Sequence, residues 1–419
     1  MLNRLLNNPK HHLIILGIIL LISIFLLLGR IYKTKSAIGG DAVYYYATLR
    51  SIVVDRDLDF KDEFEYFYNQ RSPFTGNRKI PFILPINQTT GREPTKYPIG
   101  SAVFLIPPYL ITHGILTVLQ IAGVGVVTDG YSLVYQASAA VASLLYAFLG
   151  LLFIYQLGKK IFDPKIAFLG TLFIWLATPL IYYMTMEPLT SQPLSFFCVS
   201  AFVYLWYTTR NNRKLYQWII LGAIGGLMTI VRYQDSLLLL IPIIDNLKKI
   251  LPNFSKVLVF LFFVGLIISI QLSVNNYLFG SPLRTGAYDA GFPYLLSPKI
   301  PYTLFSFQRG LYVWSPILIF ASIGLYWLTK KIKLVGTLLV IFFLLQVYVV
   351  SSWIDPTQGD SFGNRILINS NPIFALGLMQ FFKEMKNYQK IFLIIFSLLI
   401  LVNGILAGLF VLRIIGQPY

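Results

Sequence analysis

Long apolar runs recur along almost the whole chain, and they restrict its fold more than any other feature of the sequence. They lie near 13–29, 99–123, 132–157, 166–184, 193–209, 216–231, 236–247, 256–275, 311–328, 334–351, 366–382 and 391–412. Most are close to the roughly 20 residues that an α-helix needs to cross the hydrocarbon core of a bilayer. No long polar block follows Tyr131 in which a sizeable soluble domain could form. With 56% hydrophobic and 12% charged residues, about half the charge of a soluble chain, residues 1–419 read as one all-α polytopic membrane domain.

The first run follows Arg4 and Lys10 and is itself followed by Arg30, Lys33 and Lys35. No small-residue cleavage site is present there, so the sequence predicts an uncleaved first span. The formal charge of +17 would suggest nucleic acid in a soluble protein. In a membrane protein basic residues first report topology, and no nucleic-acid partner is expected.

If all twelve runs crossed with the first residues inside, five short basic loops would face outside: Lys159/Lys160/Lys165, Arg210/Arg213/Lys214, Lys248/Lys249/Lys256, Lys330/Lys331/Lys333 and Lys383/Lys386/Lys390. That arrangement contradicts the tendency of basic loops to stay cytoplasmic. The run at 99–123 is the suspect, because Pro107 and Pro108 fall in its middle and His113 within it. Treating it as non-spanning leaves about 11 transmembrane helices, N-terminus inside and C-terminus outside, with every lysine triplet cytoplasmic. The run at 236–247, short and containing Pro242, is the weakest of these and could instead pair with its predecessor as a re-entrant hairpin.

On this topology only Asp163, Asp245 and Glu384 of the 17 acids face inside. The first extracytoplasmic loop, 30–131, begins with Gly39-Gly40-Asp41, where Asp41 reads either as a helix N-cap or as a functional carboxylate. Phe60, Phe64 and Phe67 fall on one helical face and Asp62, Glu63 and Glu65 on another, the pattern of an interfacial helix. Asp55, Asp57 and Asp59 read as a turn, since no glutamate follows at the spacing of a calcium loop. Lys96 precedes the non-spanning run at headgroup depth, where it could anchor any lipid phosphate or capture a specific one.

Further outer loops carry Glu187 and Gln192, then Arg232 and Asp235, which could simply pair at i, i+3. A second long loop, 277–308, is followed by Arg309, and another outer loop holds Asp360 and Arg365. Carboxylates, arginines and aromatics thus collect on one face, as a site for a sugar and a phosphate would need. Glycosyl transfer at a membrane surface requires a carboxylate to take the acceptor proton and cations to stabilise the departing phosphate. Outside the cytoplasm the donor would be a sugar on a polyprenyl phosphate.

The motifs Gly40-Asp41-Ala42-Val43-Tyr44-Tyr45, Lys96-Tyr97-Pro98-Ile99-Gly100, Glu187-Pro188, Val231-Arg232-Tyr233-Gln234-Asp235, Arg309-Gly310-Leu311 and Ser361-Phe362-Gly363-Asn364-Arg365 follow one another in an order that resembles the GT-C superfamily of integral-membrane glycosyltransferases. The likeness is greatest to relatives of protein mannosyltransferases and aminoarabinose transferases. It implies a GT-C-type fold with Asp41 as the catalytic base of an inverting transfer, Lys96 on the donor phosphate, and Glu187 in a second acidic motif. It also implies the plasma (inner) membrane of a prokaryote, with the active site on the extracytoplasmic face and a glycan, lipid or protein as acceptor.

Arg309 and Arg365 are further phosphate-ligand candidates by their chemistry, with structural pairing to an outer acid as the alternative. Tyr44, Tyr97, Gln192, Arg232, Asp235 and Asp360 are candidates to touch substrate. No Asp-x-Asp motif stands beside Asp41, so a divalent metal is possible but not favoured, and no other cofactor is expected. The single Cys198 and the three histidines disfavour redox and zinc chemistry. The rival class is a transporter or flippase of lipid-linked glycans, although midplane charges and paired repeats, the marks of that class, are not seen. A noncatalytic subunit of the same fold is a third possibility.

Overall fold

The computed structural model describes residues 8–69, 86–247, 254–286, 289, 291–355 and 359–415. In chain order its helices are α1 (Pro9–Thr34), α2 (Ala42–Arg50), α3 (Lys61–Asn69), α4 (Gly100–Ile121), α5 (Leu133–Ile161), α6 (Pro164–Leu176), α7 (Leu180–Thr185), α8 (Ser191–Thr209), α9 (Leu215–Val231), α10 (Leu240–Asp245), α11 (Phe254–Phe279), α12 (Ile300–Phe305), α13 (Leu311–Trp314), α14 (Ile317–Lys331), α15 (Lys333–Ser352), α16 (Asn371–Glu384) and α17 (Gln389–Val411). Among the described residues six helices are long and apolar enough to cross a membrane: α1, α4, α5, α11, α15 and the helical stretch Lys386–Val411.

Several apolar runs are not single helices, and proline chemistry explains where they break. The run at 166–184 divides into α6 and α7 at Ala177-Thr178-Pro179. A proline lacks the N–H that would extend the helix and restricts the residue before it. The carbonyls freed there are met from α17: Asn403 donates to Leu176 O at 2.9 Å and to Thr178 O at 3.0 Å. In the same way Ser315-Pro316 separates α13 from α14. Pro107 and Pro108, by contrast, do not interrupt α4, which runs unbroken from Gly100 to Ile121. Interior prolines forfeit hydrogen bonds, but a long apolar helix tolerates them where its surroundings absorb the loss. At about 1.5 Å per residue α4 reaches roughly 33 Å, so its length fits a crossing helix rather than a broken one.

The weak run at 236–247 also takes an unexpected form, a 3₁₀ segment Tyr233–Leu239 followed by α10. Its start is tied to one end of α8 through Asp235 and Ser195 (2.6 Å), and its finish to the other end through Asp245 and Trp206 (3.1 Å) and Arg210 (2.6 Å). A 3₁₀ stretch rises about 2.0 Å per residue, which lets this short segment keep pace with the longer α-helix beside it.

The bundle has two chemically distinct ends. At one, His12 Nδ1 lies 2.9 Å from the Tyr155 hydroxyl and its ring stacks on Phe168 at 4.4 Å. Lys331 sits over Phe162 and within electrostatic reach of Lys383, Glu384 and Asp163. At the other end Phe410 meets Tyr182 and Phe362. Helix α1 therefore begins at the lysine-rich end and α17 finishes at the opposite one. Between them α14 and α16 pack with their backbones almost touching: a Cβ on Gly324 would overlap the Gly377 carbonyl, and one on Gly377 the Ala321 carbonyl. Small residues permit such close helix crossings in membranes.

Candidate active site

Asp41 lies at the end of the bundle away from the lysine-rich loops, just before α2. Gly40 precedes it at φ +55°, a left-handed conformation that glycine adopts without penalty and that turns the chain into the helix. The Asp41 side chain makes no capping hydrogen bond to α2. It accepts one from Arg365 Nη1 at 2.6 Å and another from the Tyr97 hydroxyl. Burial acts first on the Asp41 carboxyl and favours its neutral form, but Arg365, Lys96 and Tyr97 outweigh it and hold the pKa below the usual carboxylate value. The capping alternative is thereby replaced by a tertiary ion pair.

Lys96 is carried to this point by the first loop, which docks on the end of α11. Thr90 Oγ1 donates to Leu278 O at 2.8 Å, and the Arg92 guanidinium stacks 3.8 Å from the Tyr277 ring. The Lys96 ammonium stands 5.3 Å from the centre of the Tyr44 ring and within electrostatic reach of both Asp41 and Arg365. Its pKa is lowered, by burial first and then by Arg365, with Asp41 opposing. Tyr97 stacks on Tyr45 at 4.8 Å and meets Tyr44 edge-on at 5.8 Å. The Tyr45 hydroxyl in turn donates to Ser191 Oγ at 3.0 Å, which ties the first loop to the start of α8.

Glu187 sits in the turn between α7 and α8 and accepts from the Tyr182 hydroxyl at 3.1 Å. Burial raises its carboxyl to about 7, against the pull of Arg365, Tyr182 and Arg30, while Asp41 adds to the rise. The site thus joins an ionised acid, Asp41, to one that holds its proton to near neutrality. Environments that push two neighbouring carboxyls apart in this way divide acid and base roles between them.

The remaining candidates separate into two groups. Arg309 stacks beside Trp314 and Phe410 and lies 3.5 Å from Asp360, whose side chain is 51% exposed. Gln192 is buried, with Oε1 lacking a hydrogen-bond partner. Arg232 and Asp235 belong to a structural brace. Asp235 is fully buried and accepts from Ser195 at 2.6 Å and Asn369 at 2.5 Å. Arg232 reaches the Arg365 carbonyl at 3.5 Å, and Gln234 donates to Ile366 O at 3.0 Å. This brace holds the 365–370 turn, and with it the Arg365 side chain, against Asp41. Arg232 and Asp235 do not form the direct i, i+3 pair that their spacing suggested, because Asp235 points to α8 and the 365–370 turn instead.

The acids of the first loop are also used differently from their sequence pattern. Asp57 forms the expected turn, accepting from Ser51 Oγ and the Asp59 amide. Asp55 joins Asp62 and Glu63 around Arg50, whose Nη1 lies 2.5, 2.9 and 2.8 Å from them. These three carboxylates are close enough together to hold a metal ion, but here a guanidinium occupies their centre. Glu63 is fully buried rather than on a solvated face, and burial, followed by its hydrogen bond to Asp62, raises its carboxyl to about 9. Phe60 and Phe64 are buried as well, Phe64 against Tyr44, so α3 packs on the site instead of presenting an open apolar stripe.

A family model described as dolichyl-phosphate-mannose-protein mannosyltransferase matches residues 132–273. That segment contains Glu187, Gln192, Arg232 and Asp235 but not Asp41, Lys96, Arg309 or Arg365. A crystal structure of ArnT from Cupriavidus metallidurans in the apo state is similar at 12% sequence identity and a TM-score of 0.49, over 88% of this chain. The present chain covers 58% of that one. No curated protein matches the sequence. Residues 132–273 are thus similar to that mannosyltransferase family, and the segment includes two of the motifs that carry the sequence resemblance, Glu187-Pro188 and Val231–Asp235.

Proposed function

We propose that the chain is a glycosyltransferase that moves a sugar from a polyprenyl phosphate to an acceptor hydroxyl outside the cytoplasm, with inversion at the anomeric carbon. The observation that carries this reading is the convergence of Asp41, Lys96, Glu187 and Arg365 from three separate loops at the end of the bundle away from the lysine-rich loops. The acceptor oxygen forms its bond to the anomeric carbon as the bond from that carbon to the phosphate oxygen breaks. Asp41 takes the acceptor proton, and Lys96 and Arg365 stabilise the leaving phosphate.

The Asp41–Arg365 pair gives this mechanism a trigger. Paired with Arg365, Asp41 is a weak base because its pKa is held low. A donor phosphate competes for the same guanidinium, and its negative charge raises the carboxylate's proton affinity. Asp41 becomes a better base when donor is bound. The cations supply the phosphate's countercharge, so the reaction as proposed uses no resident metal. Arg309 is a further phosphate ligand in this scheme, and Tyr44, Tyr97 and Gln192 line the sugar. A prokaryotic plasma membrane with the lysine-rich end inside accommodates such a site on the extracytoplasmic face.

The test is sugar release or transfer from a panel of polyprenyl-phosphate sugars by the full-length protein in native lipids, compared with Asp41→Asn. Loss of roughly 10²–10⁴-fold in the variant is expected for removal of a general base. Wild-type turnover by a normally inserted Asp41→Asn protein would overturn the assignment. Binding of these lipids without turnover would favour a carrier of lipid-linked glycans.

A further inference from the structure

The arginines at the site end of the bundle differ in how completely their nitrogens are satisfied. Arg50 bonds three carboxylates and the Asp129 carbonyl. Arg365 is bonded to Asp41. Arg232 and Arg309 each leave a buried Nε without a hydrogen-bond partner, whereas Arg30, near the end of α1, leaves two buried nitrogens, Nε and Nη2, without one. A buried guanidinium without hydrogen bonds is costly, and such groups persist where a ligand completes them.

The surroundings of Arg30 say what kind of ligand that is. Its charge acts on Glu187 and Tyr182, yet among the described residues no carboxylate lies within ion-pair distance of it. Glu187 is held by the Tyr182 hydroxyl, and Arg365 and Asp41 also act on it electrostatically. Tyr182 stacks on Phe362 at 4.5 Å, giving this part of the site an aromatic wall. The unpartnered atoms Nε and Nη2 form one edge of the guanidinium, the edge that grips phosphate or carboxylate through two parallel N–H···O bonds.

We infer that the space between Arg30 and Glu187 is a second anion subsite, taking a phosphate or carboxylate of a substrate through the Nε/Nη2 edge of Arg30. It is separate from the place assigned to the donor phosphate beside Lys96 and Arg365. Glu187 in its protonated form donates to the same anion, in keeping with its carboxyl near 7. The inference rests on the transferase reading for the word substrate. The anion belongs either to the acceptor or to a second charged group of the donor.

The experiment uses full-length protein in uncharged detergent, with inorganic phosphate as the probe for thermal stabilisation and steady-state transfer as the second readout. In Arg30→Gln the ligand-free protein is expected to melt no lower than wild type, because an unsatisfied buried charge has been removed. Stabilisation by phosphate should fall, with the remainder removed by Lys96→Gln. In transfer, Arg30→Gln should raise the KM of one substrate about tenfold or more, as loss of a charged hydrogen bond does, with kcat changed far less. The substrate whose KM moves identifies the source of the anion. Arg30→Lys keeps the charge without the two-nitrogen edge and should recover only part of the loss.

A lower melting temperature in Arg30→Gln with wild-type phosphate response and wild-type KM would overturn the subsite and make Arg30 a brace for Glu187. Wild-type KM in Arg30→Lys would overturn the two-nitrogen grip. If wild type transfers nothing while phosphate stabilisation still depends on Arg30, the anion subsite stands and the transferase reading fails.

Discussion

Asp41 and Arg365 lie 324 positions apart in the chain and 2.6 Å apart in space. The pair joins the loop after the first helix to the loop before α16, and each partner is set by its own local device. Gly40 turns the chain into α2 beneath Asp41. The brace of Arg232, Gln234 and Asp235 holds the turn that begins at Arg365.

This pairing predicts how activity responds to pH. With Arg365 present, the basic form of Asp41 persists to low pH, since the folded-state pKa lies below the usual carboxylate value. Arg365→Gln removes the largest influence opposing burial, so the pKa of Asp41 rises. The acid limb of kcat/KM should therefore move to higher pH, because that limb reports the free enzyme's base. A pH profile of the variant checks this, and an unmoved limb would mean that another group controls the fall. The same shift carries a stability term. It is present above the unfolded-state pKa and lost as pH falls through the folded one, so Arg365→Gln should also weaken the protein's resistance to mild acid relative to neutrality.

Glu187 carries the opposite sign. Its carboxyl near 7 lies above the ordinary glutamate value of 4.5, so the folded protein holds a proton that the unfolded chain has released between those values. Stability contributed by Glu187 is present below pH 4.5 and declines as pH rises toward 7. Glu187→Gln keeps a neutral side chain throughout. Its melting temperature relative to wild type should rise across that window and stay high above it. Thermal unfolding at a series of pH values tests this, and a constant difference would show that Glu187 does not titrate there.

Arg50 is the keystone of the first loop. Its side chain is 7% exposed and satisfies Asp55, Asp62 and Glu63 together, while its guanidinium lies 3.8 Å from the Tyr131 ring. Arg50→Gln leaves Asp55 and Asp62 without their countercharge and the buried Glu63 without its Arg50 hydrogen bond, and an unsatisfied buried group of this kind costs about 1–3 kcal/mol. The expected result is a lower melting temperature and faster proteolysis between α2 and α5. Unchanged proteolysis of the loop would show that its packing, led by Phe60 and Phe64, suffices without the network.

Much of the architecture was legible because burial in a bilayer imposes local rules. Every long helix had to appear as an apolar run, and loops of like charge had to gather at one end, as Lys331 and Lys383 do. The run at 99–123 forms one unbroken helix despite Pro107 and Pro108, because a proline's cost depends on what surrounds the helix. The run at 166–184 broke at Pro179, where Asn403 from the far end of the chain donates to the freed carbonyls.

The sequence by itself determined that these residues form an apolar helical bundle and that most acids fall in the loops that alternate with the basic triplets. Hydropathy and charge act on each segment independently of its partners, so they can be read from a single chain. Only the tertiary structure decided which groups each charge meets: Asp41 with Arg365, Asp55, Asp62 and Glu63 with Arg50, Asp235 with Ser195 and Asn369, and Arg30 with no carboxylate at ion-pair distance among the described residues. Electrostatic attraction carries no address in sequence, and the partner of a buried charge is fixed by how helices far apart in the chain pack side by side.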